Sequence, residues 1–315
     1  MKNNNPLKSI NTFYNKMSIF GKLLFLIALF LIIVMFFNSI RARNNNNKEG
    51  FIQDNKFLYK TGQDIYDEFY SEIYDYLVFS NVKDNFEIGA IVNNTNPSEH
   101  SRILDIGSGT GHHVGKLTEK SLDVIGLDIS QSMISQAKKM YPNGKFEQGD
   151  ALNSSKFSFN TFTHILCMYF TIYYFKDKNM FLQNCYDWLM PGGFLIIHLV
   201  DRDHFDPILP PGNPLLLVSP QKYADKRITS TKLKFNNFNY SANFNFKPQE
   251  DLAIFNEKIK FNDGKVRKHE HKLYMESEST IVNMTQNIGF IVEAKVDLIK
   301  CAYAHQYLYI FTKPS

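Results

Sequence analysis

The stretch ILDIGSGTGHHV, residues 103–114, decides the fold that this sequence predicts. Apolar residues lead to Asp105, and glycines follow at every second position from 107 to 111. Glycine lets the backbone turn sharply and come close to a ligand. A helix that begins after such a loop points its first amide groups at that ligand. The stretch therefore predicts a strand, a ligand-binding loop and a helix from about Thr110 to Lys120.

Strand-like and helix-like segments alternate after this loop. The runs DVIGLDI, KFEQGD, FTHILCMYF and FLIIHLV have the apolar, β-branched character of buried strands. Helices are expected between them, from Ser130 to Met140 and from Lys178 to Met190, the second ended by Pro191-Gly192-Gly193. Such alternation predicts crossover connections and a mostly parallel sheet.

Residues 226–275 follow a different pattern, with four runs that alternate with period two. This pattern predicts an antiparallel β insertion after the fifth strand of the sheet. An insertion of this size has one apolar side that must pack on something, so it is expected to roof an acceptor pocket or to pair with its copy in a homodimer. A helix from Glu278 to Ile288 and two strands then complete the chain.

Acidic residues end the first three predicted strands. Asp105 lies beside the crevice where open α/β sheets bind ligands. Asp128 could accept both hydroxyls of a ribose, and Asp150 an adenine amino group. The dinucleotide fingerprint G-x-G-x-x-G is not met, since His112 stands at its sixth position. Asp105 would repel a pyrophosphate, whereas it could help to hold the ammonium group of S-adenosylmethionine.

Several motifs in order carry a family resemblance: D-x-G-x-G-x-G at 105–111, the acid at 128, GDA at 149–151 and LMPGGFLII at 189–197. Residues 60–315 resemble the class I S-adenosylmethionine-dependent methyltransferases. The resemblance implies a seven-stranded sheet with its last strand antiparallel and helices on its faces. GTGHH, YDEFYSEIYD and HKLYMESEST resemble small-molecule N-methyltransferases that act on amino sugars and glycine. The wider chain also resembles membrane-anchored methyltransferases of giant DNA viruses.

Candidate site residues follow from these motifs. Tyr66, Tyr70 and Tyr74 form a stripe that is either a lid over the sulfonium or plain helix packing, and Cys167 and Met168 either touch the cofactor or belong to the core. No metal site is predicted, because His269 and His271 lack a third ligand. The candidates for S-adenosylmethionine binding are Asp105, Gly107, Ser108, Gly109, Gly111, Asp128, Ile129, Asp150, Ala151, Cys167 and Met168. The candidates for catalysis are Tyr173, His204, His269 and Arg267, with an exposed polar loop as the alternative for His204.

An apolar run, Leu23 to Phe37, stands near the N-terminus. A membrane-spanning helix is predicted at 19–40, between a polar tail at 1–18 and a linker at 41–60, with the methyltransferase domain at 61–315. A cleaved signal peptide and a buried core helix are the alternatives. Flanking charge does not decide the orientation, and cofactor supply predicts a cytoplasmic domain on a single-pass membrane protein.

Composition excludes some function classes. The net charge is +4 and the lysines are scattered, so the sequence does not indicate the clustered basic patch of a nucleic-acid-binding protein. Three widely spaced cysteines predict neither a disulfide framework nor a metal motif. The sequence therefore predicts a membrane-anchored methyltransferase with a small-molecule or lipid-linked acceptor. The alternative is an inactive module of the same fold that binds cofactor or docks a protein.

Overall fold

The computed structural model describes residues 56–209, 221 and 224–315, and nearer the N-terminus Ser18, residues 20–23, Phe25, Ile27 and Phe30. The chain divides into two units, Met1–Ile52 and Gln53–Ser315. Both sheets and the helices named below belong to the second unit.

The strands and helices of the second unit follow in chain order. The strands are β1 (Phe57–Thr61), β2 (Arg102–Ile106), β3 (Asp123–Asp128), β4 (Lys145–Gln148), β5 (Phe162–Cys167), β6 (Leu189–Val200), β7 (Ser230–Lys234), β8 (Phe238–Lys247), β9 (Leu252–Phe261), β10 (Val266–Tyr274), β11 (Ile291–Asp297) and β12 (Gln306–Thr312). The α-helices are α1 (Glu68–Val78), α2 (Asn81–Thr95), α3 (His112–Glu119), α4 (Gln131–Met140), α5 (Thr171–Tyr174), α6 (Lys178–Trp188) and α7 (Glu278–Ile288).

The larger sheet has seven strands in the order β11-β12-β6-β5-β2-β3-β4. Its strands from β6 to β4 pair in parallel, and β12 is antiparallel to β6 and β11. This topology confirms the predicted mostly parallel sheet with an antiparallel last strand. The carboxyl ends of the parallel strands therefore meet at one edge, where ligands bind in such sheets.

Helices cover both faces of this sheet because successive residues of a strand point to opposite faces. Ile103 packs in one core cluster together with residues of α2, α3 and α4. The next residue, Leu104, packs in a second cluster with residues of α6 and α7. Residues of the second sheet, such as Phe244, join this second cluster. The apolar face of the β insertion is thus buried on the core.

The second sheet has five strands in the order β1-β10-β9-β8-β7. Strands β7 to β10 form antiparallel neighbours over residues 230–274, and β1 adds to β10 in parallel. Strand β1 overlaps the end of the stretch predicted as a linker at 41–60. Its five residues carry no long apolar run, so only the pairing partner in β10 shows them to be a strand.

Two further elements differ from the prediction. Helix α6 ends at Trp188, and Gly192 and Gly193 belong to β6, where their backbone groups bond to Lys313 at 2.8 Å. Helix α2 was not predicted, since Lys83 and Glu87 are buried on its inner face and interrupt the apolar stripe. A buried ion pair between these two residues accounts for the interruption.

The predicted membrane helix at 19–40 falls largely outside the described residues, as do the tail at 1–18 and most of the linker at 41–60. Among the residues that are described, no helix combines the length and the apolar character needed to cross a membrane. The prediction of a single-pass membrane protein with a cytoplasmic domain is therefore corrected.

Candidate active site

A cavity of about 570 Å³ opens at the carboxyl ends of the parallel strands. Gly107 and Gly109 line it from the loop after β2, Asp128 from the end of β3, and Asp150 from the loop after β4. Residues 270–274 of β10 line the same cavity. The seven-stranded sheet and the β insertion thus enclose one space between them.

The glycine loop needs its glycines for two different reasons. Gly107, Gly109 and Gly111 have φ of +68°, +54° and +88°, where side chains are strained. A Cβ on Gly107 would also lie 2.5 Å from Cγ2 of Thr171, and one on Gly111 would lie 2.7 Å from the ring of Phe146. The loop is therefore packed against α5 on one side and against β4 on the other.

Asp128 connects this loop to the next strand. Its Oδ2 accepts the amide N–H of Gly109 at 2.9 Å, and its Oδ1 accepts that of Ser130 at 2.9 Å. A carboxylate oxygen has room for a second donor. Asp128 also lines the cavity, so its carboxylate is placed to accept hydroxyl groups of a ligand. Ile129, Asp150 and Ala151 line the cavity beside it.

Asp105 lies at the end of β2, beneath the loop, and is 1% exposed. Among the described residues, its Oδ2 has no hydrogen-bond partner. Burial raises the pKa of Asp105 to about 7, an effect that the nearby His113 opposes. Burial alone would lower the pKa of His113, but its bond to Glu87 raises that pKa to about 9. An orphaned acceptor next to the loop suits a ligand that carries an ammonium group.

Tyrosines form the wall that faces the glycine loop. Tyr66, Tyr70 and Tyr74 line the cavity together with Tyr169 and Tyr174. Burial raises the pKa values of the first three well above the ordinary tyrosine value, so these hydroxyls keep their protons at neutral pH. Aromatic faces attract cations, and the wall therefore suits a sulfonium or ammonium group.

Glu257 of β9 is the centre of a buried hydrogen-bond network behind this wall. Its Oε2 lies 2.9 Å from Nδ1 of His269 and 2.8 Å from Nε2 of His271. Its Oε1 accepts the hydroxyl protons of Tyr70 at 2.9 Å and of Tyr240 at 2.5 Å. Burial alone would raise the pKa of Glu257, but His271 and His269 hold it well below its usual range. Glu257 is therefore a buried carboxylate anion.

The network extends to both sides of Glu257. Nε of Arg267 donates to Nε2 of His269 at 2.5 Å, and NH2 of Arg267 donates to Asp67 at 2.6 Å. In the other direction, Nδ1 of His271 lies 2.9 Å from the hydroxyl of Tyr174. Of the histidines in this network, His271 lines the cavity.

Comparisons with known proteins agree with this geometry. Residues 103–193 match the family described as "Methyltransferase domain". A solved S-adenosylmethionine-dependent methyltransferase from Clostridium acetobutylicum superposes with a TM-score of 0.59 at 19% identity, over 78% of this chain and 98% of that one. The CcbJ methyltransferase from Streptomyces caelestis gives 0.60 at 12% identity, over 79% and 98%. Residues 103–193 are thus a methyltransferase domain, and the fold around them is that of these solved methyltransferases.

Two curated relatives share sequence with this methyltransferase domain. The dTDP-3-amino-3,4,6-trideoxy-alpha-D-glucopyranose N,N-dimethyltransferase of Streptomyces venezuelae is 26% identical over 42% of this chain and 58% of its own length. The phosphoethanolamine N-methyltransferase of Plasmodium falciparum is 28% identical over 49% and 57%. The chain thus spans a little over half the length of these relatives.

The methyltransferase domain has residues that fit S-adenosylmethionine, the cofactor of this family. The partnerless Oδ2 of Asp105 matches a ligand with an ammonium group. Gly107, Gly109, Asp128, Ile129, Asp150 and Ala151, all candidates from the sequence, line the cavity. The other candidates, Asp105, Ser108, Gly111, Cys167 and Met168, are not among the lining residues. Cys167 and Met168 are buried core residues, 0% and 4% exposed.

The sequence candidates for catalysis lie outside the cavity lining of the methyltransferase domain. Tyr173 is fully buried, and its hydroxyl accepts the N–H of Val200 at 2.8 Å. His204 is exposed and bonds to Asp201 at 2.8 Å. Arg267 and His269 lie behind His271 in the network. Periodicity could have identified His271, since it shares a face of β10 with His269.

Sequence reasoning missed Glu257 and Tyr174. Glu257 pairs directly with His269 across β9 and β10. If the pairing register of these two strands had been predicted, it would have placed Glu257 beside the histidines. Tyr174 follows Tyr173, and only the path of α5 shows which of the two hydroxyls meets the cavity.

In the part of the chain that the structure describes, two clusters have ligand atoms close enough to hold a metal: Glu257 with His269 and His271, and Asp84 with Glu87 and His113. In the first cluster Arg267 donates to Nε2 of His269, so that ring carries its proton on Nδ1, the atom that faces Glu257. A protonated nitrogen is no metal ligand. In the second cluster the raised pKa of His113 keeps its ring protonated. Hydrogen bonds therefore explain both clusters.

Proposed function

We propose that this chain transfers a methyl group from S-adenosylmethionine to an amine nitrogen of a small polar acceptor. One observation carries the proposal: a single cavity joins the glycine loop and Asp128 to the tyrosine wall and β10. A donor held at the loop and an acceptor held under the insertion would meet inside this space. Positioning of this kind accounts for much of the rate of an in-line displacement.

Relatives and lining residues support a small amine as the acceptor. The matched relatives are named for an amino-sugar nucleotide and for phosphoethanolamine, and a further one for glycine and sarcosine. In this chain Glu270 and Lys272 bring both signs of charge to the cavity lining, and Gln63 adds an amide. Such a lining suits a polar or zwitterionic molecule that carries an amine.

The chain's own residues have separate tasks in this reaction. When bound, S-adenosylmethionine supplies a methyl group already activated by its sulfonium sulfur. Asp128 accepts ribose hydroxyls and holds the loop through Gly109. Asp105 stabilises the ammonium group of the methionine part. The tyrosine wall excludes water and surrounds the positive charge.

A labelling experiment tests this function. The full chain is incubated with methyl-labelled S-adenosylmethionine and with phosphoethanolamine, glycine, sarcosine or a dTDP-amino sugar in separate reactions. We expect label in at least one amine and none in ethyl phosphate or dTDP-glucose, which lack the amine. Asp128→Ala is the matched negative control. Binding of the cofactor without label in any amine would contradict the proposal, as would equal labelling of the analogues without nitrogen.

A further inference from the structure

A continuous chain of hydrogen bonds leads from the cavity into the β insertion. The hydroxyls of Tyr66 and Tyr174 bond to each other. The hydroxyl of Tyr174 bonds to Nδ1 of His271, and Nε2 of His271 bonds to Glu257. We infer that Tyr174, His271 and Glu257 form a proton relay that removes a proton from the acceptor amine before methyl transfer. This inference rests on the proposed function.

The donors and acceptors of the network give the relay a direction. Glu257 is an anion, so Nε2 of His271 must carry a proton to bond to it. In the neutral ring, Nδ1 of His271 is then an acceptor, and the hydroxyl of Tyr174 is its donor. His271 is thereby held in the tautomer whose Nδ1 lone pair accepts the hydroxyl of Tyr174.

The other groups around Glu257 strengthen this arrangement. Arg267 occupies Nε2 of His269, which fixes the proton of that ring on Nδ1, where it donates to Glu257. Tyr70 and Tyr240 donate to the other carboxylate oxygen. Each donor makes Glu257 a poorer hydrogen-bond acceptor for further groups but leaves its full negative charge beside His271. That charge stabilises an imidazolium when His271 gains a proton.

Access to the acceptor differs along the relay. Tyr174 is 37% exposed and lines the cavity, so its hydroxyl can contact an acceptor nitrogen. His271 is 2% exposed and meets the cavity beside it. Glu257 is 2% exposed, does not line the cavity, and is bonded to two residues that do, His271 and Tyr70. Tyr174 and His271 are thus catalytic residues in this reaction, and Glu257 is a positioning residue.

The relay balances protons and electrons without a further reagent. The acceptor enters as an ammonium ion, and one N–H proton passes to the oxygen of Tyr174 while the tyrosine proton passes to Nδ1 of His271. The freed nitrogen lone pair then forms the bond to the methyl carbon. The bond from that carbon to sulfur breaks, and its electron pair stays on sulfur. His271 later returns its proton to solvent through the open cavity.

Charged and titratable groups from every element packed around His271 bear on its pH dependence. They are Tyr66 and Tyr70 from the segment that leads into and forms α1, Tyr174 from α5, Tyr240 from β8, Glu257 from β9, and Arg267 and His269 from β10. Asp67 neutralises Arg267 through their ion pair. Glu257 is the anion in direct contact with His271.

Spectra of the protein alone test the relay without depending on activity. Long-range 1H–15N correlation spectra of the full chain, labelled in histidine and assigned with His271→Gln and His269→Gln, report which ring nitrogen carries the proton. We expect Nε2–H for His271 and Nδ1–H for His269 at a pH where both are neutral. Nδ1–H at His271 would overturn the relay, whether or not the chain methylates any amine. A stoichiometric metal ion that is lost in Glu257→Gln would overturn it as well.

A pH series of kcat/KM with the amine methylated in the labelling experiment gives the second test. General-base catalysis contributes typically about 100-fold or more, so His271→Gln and Tyr174→Phe should lose about that factor near pH 7. The loss should shrink about tenfold per pH unit as the amine deprotonates in solution. Glu257→Gln should shift the pH profile rather than only scale it.

Tyr173→Phe is the matched comparison for Tyr174→Phe. Tyr173 precedes Tyr174 in α5, accepts the N–H of Val200 at 2.8 Å, and is not among the residues that line the cavity. We expect this variant to lose stability but to keep the shape of the wild-type pH profile. A constant loss at every pH in His271→Gln, with the same profile as Tyr173→Phe, would show a structural role and overturn the relay.

Discussion

Gly111 and Gly264 have the same φ of +88°, but a Cβ on Gly111 would lie 2.7 Å from the ring of Phe146, whereas Gly264 has no atom within 4 Å. Comparing the two positions therefore separates the cost of a left-handed backbone, which both share, from the cost of a steric clash, which only Gly111 has. Gly111 joins the loop to α3, and Gly264 lies in the turn between β9 and β10.

The first prediction compares Gly111→Ala with Gly264→Ala. Both alanines adopt a left-handed conformation that costs about 1–2 kcal/mol. Gly111→Ala must also displace Phe146, which adds about 1–3 kcal/mol of overpacking. Urea unfolding should therefore show the larger loss of unfolding free energy for Gly111→Ala. Equal losses would mean that Phe146 moves away freely.

The second prediction concerns cofactor affinity. Asp128→Ala removes the acceptor of the Gly109 and Ser130 amides and the group that faces the cavity. Loss of such charge-assisted bonds corresponds to about 1.5–3 kcal/mol, so calorimetry should show binding of S-adenosylmethionine weakened by roughly 10- to 100-fold. Asp123→Ala, at the other end of β3, is the control and should bind within about threefold of wild type. Unchanged affinity in Asp128→Ala would refute its role at the ribose.

The third prediction concerns Asp105 and pH. Burial raises the pKa of this carboxyl in the folded chain to about 7, above its ordinary value of 3.8. The unfolded chain therefore releases this proton first, and stability is lost as pH rises from about 4 to about 7. Asp105→Asn carries no such proton. In urea unfolding without cofactor, the unfolding free energy of the variant relative to that of wild type should rise by about 1.4 kcal/mol per pH unit across that window.

Asp123→Asn is the matched control for this series, because Asp123 is half-exposed at the start of the neighbouring strand. Its difference from wild type should stay nearly constant from pH 4 to pH 8. Parallel curves for Asp105→Asn and wild type would contradict a raised pKa at Asp105.

The fourth prediction concerns His113. Burial alone would lower its pKa, but Glu87 raises the pKa in the folded chain to about 9, above the ordinary 6.5. The contribution of His113 to stability is therefore fully present below pH 6.5 and is lost as pH rises through 9. His113→Gln should destabilise the chain more at pH 6 than at pH 9.5. Thermal unfolding of wild type and His113→Gln across this pH range checks the prediction, and an equal loss at both pH values would contradict it.

The parallel sheet and the cofactor edge of the site follow from the sequence because local signals specify them. Glycine spacing and strand-ending acids are local, and Gly107, Asp128 and Asp150 all line the cavity. The acceptor side depends on contacts between distant segments. Glu257 contacts His269 because of the register in which β9 pairs with β10. The path of α5 places Tyr174, and not Tyr173, at the cavity. No residue pattern within a single segment carries that information.

The pairing of β1 with β10 has a consequence for how the chain folds. Phe57 lies beside Val266 in this sheet. Strand β1 therefore cannot complete this pairing until β10, about 200 residues later, has been made. During synthesis, the parallel sheet with its glycine loop can assemble from segments that have already left the ribosome. Closing the loop between β1 and β10 costs chain entropy that only the finished insertion repays. The pairing of β1 with β10 can therefore form only after β2 to β6, the parallel strands of the cofactor edge, have been synthesised.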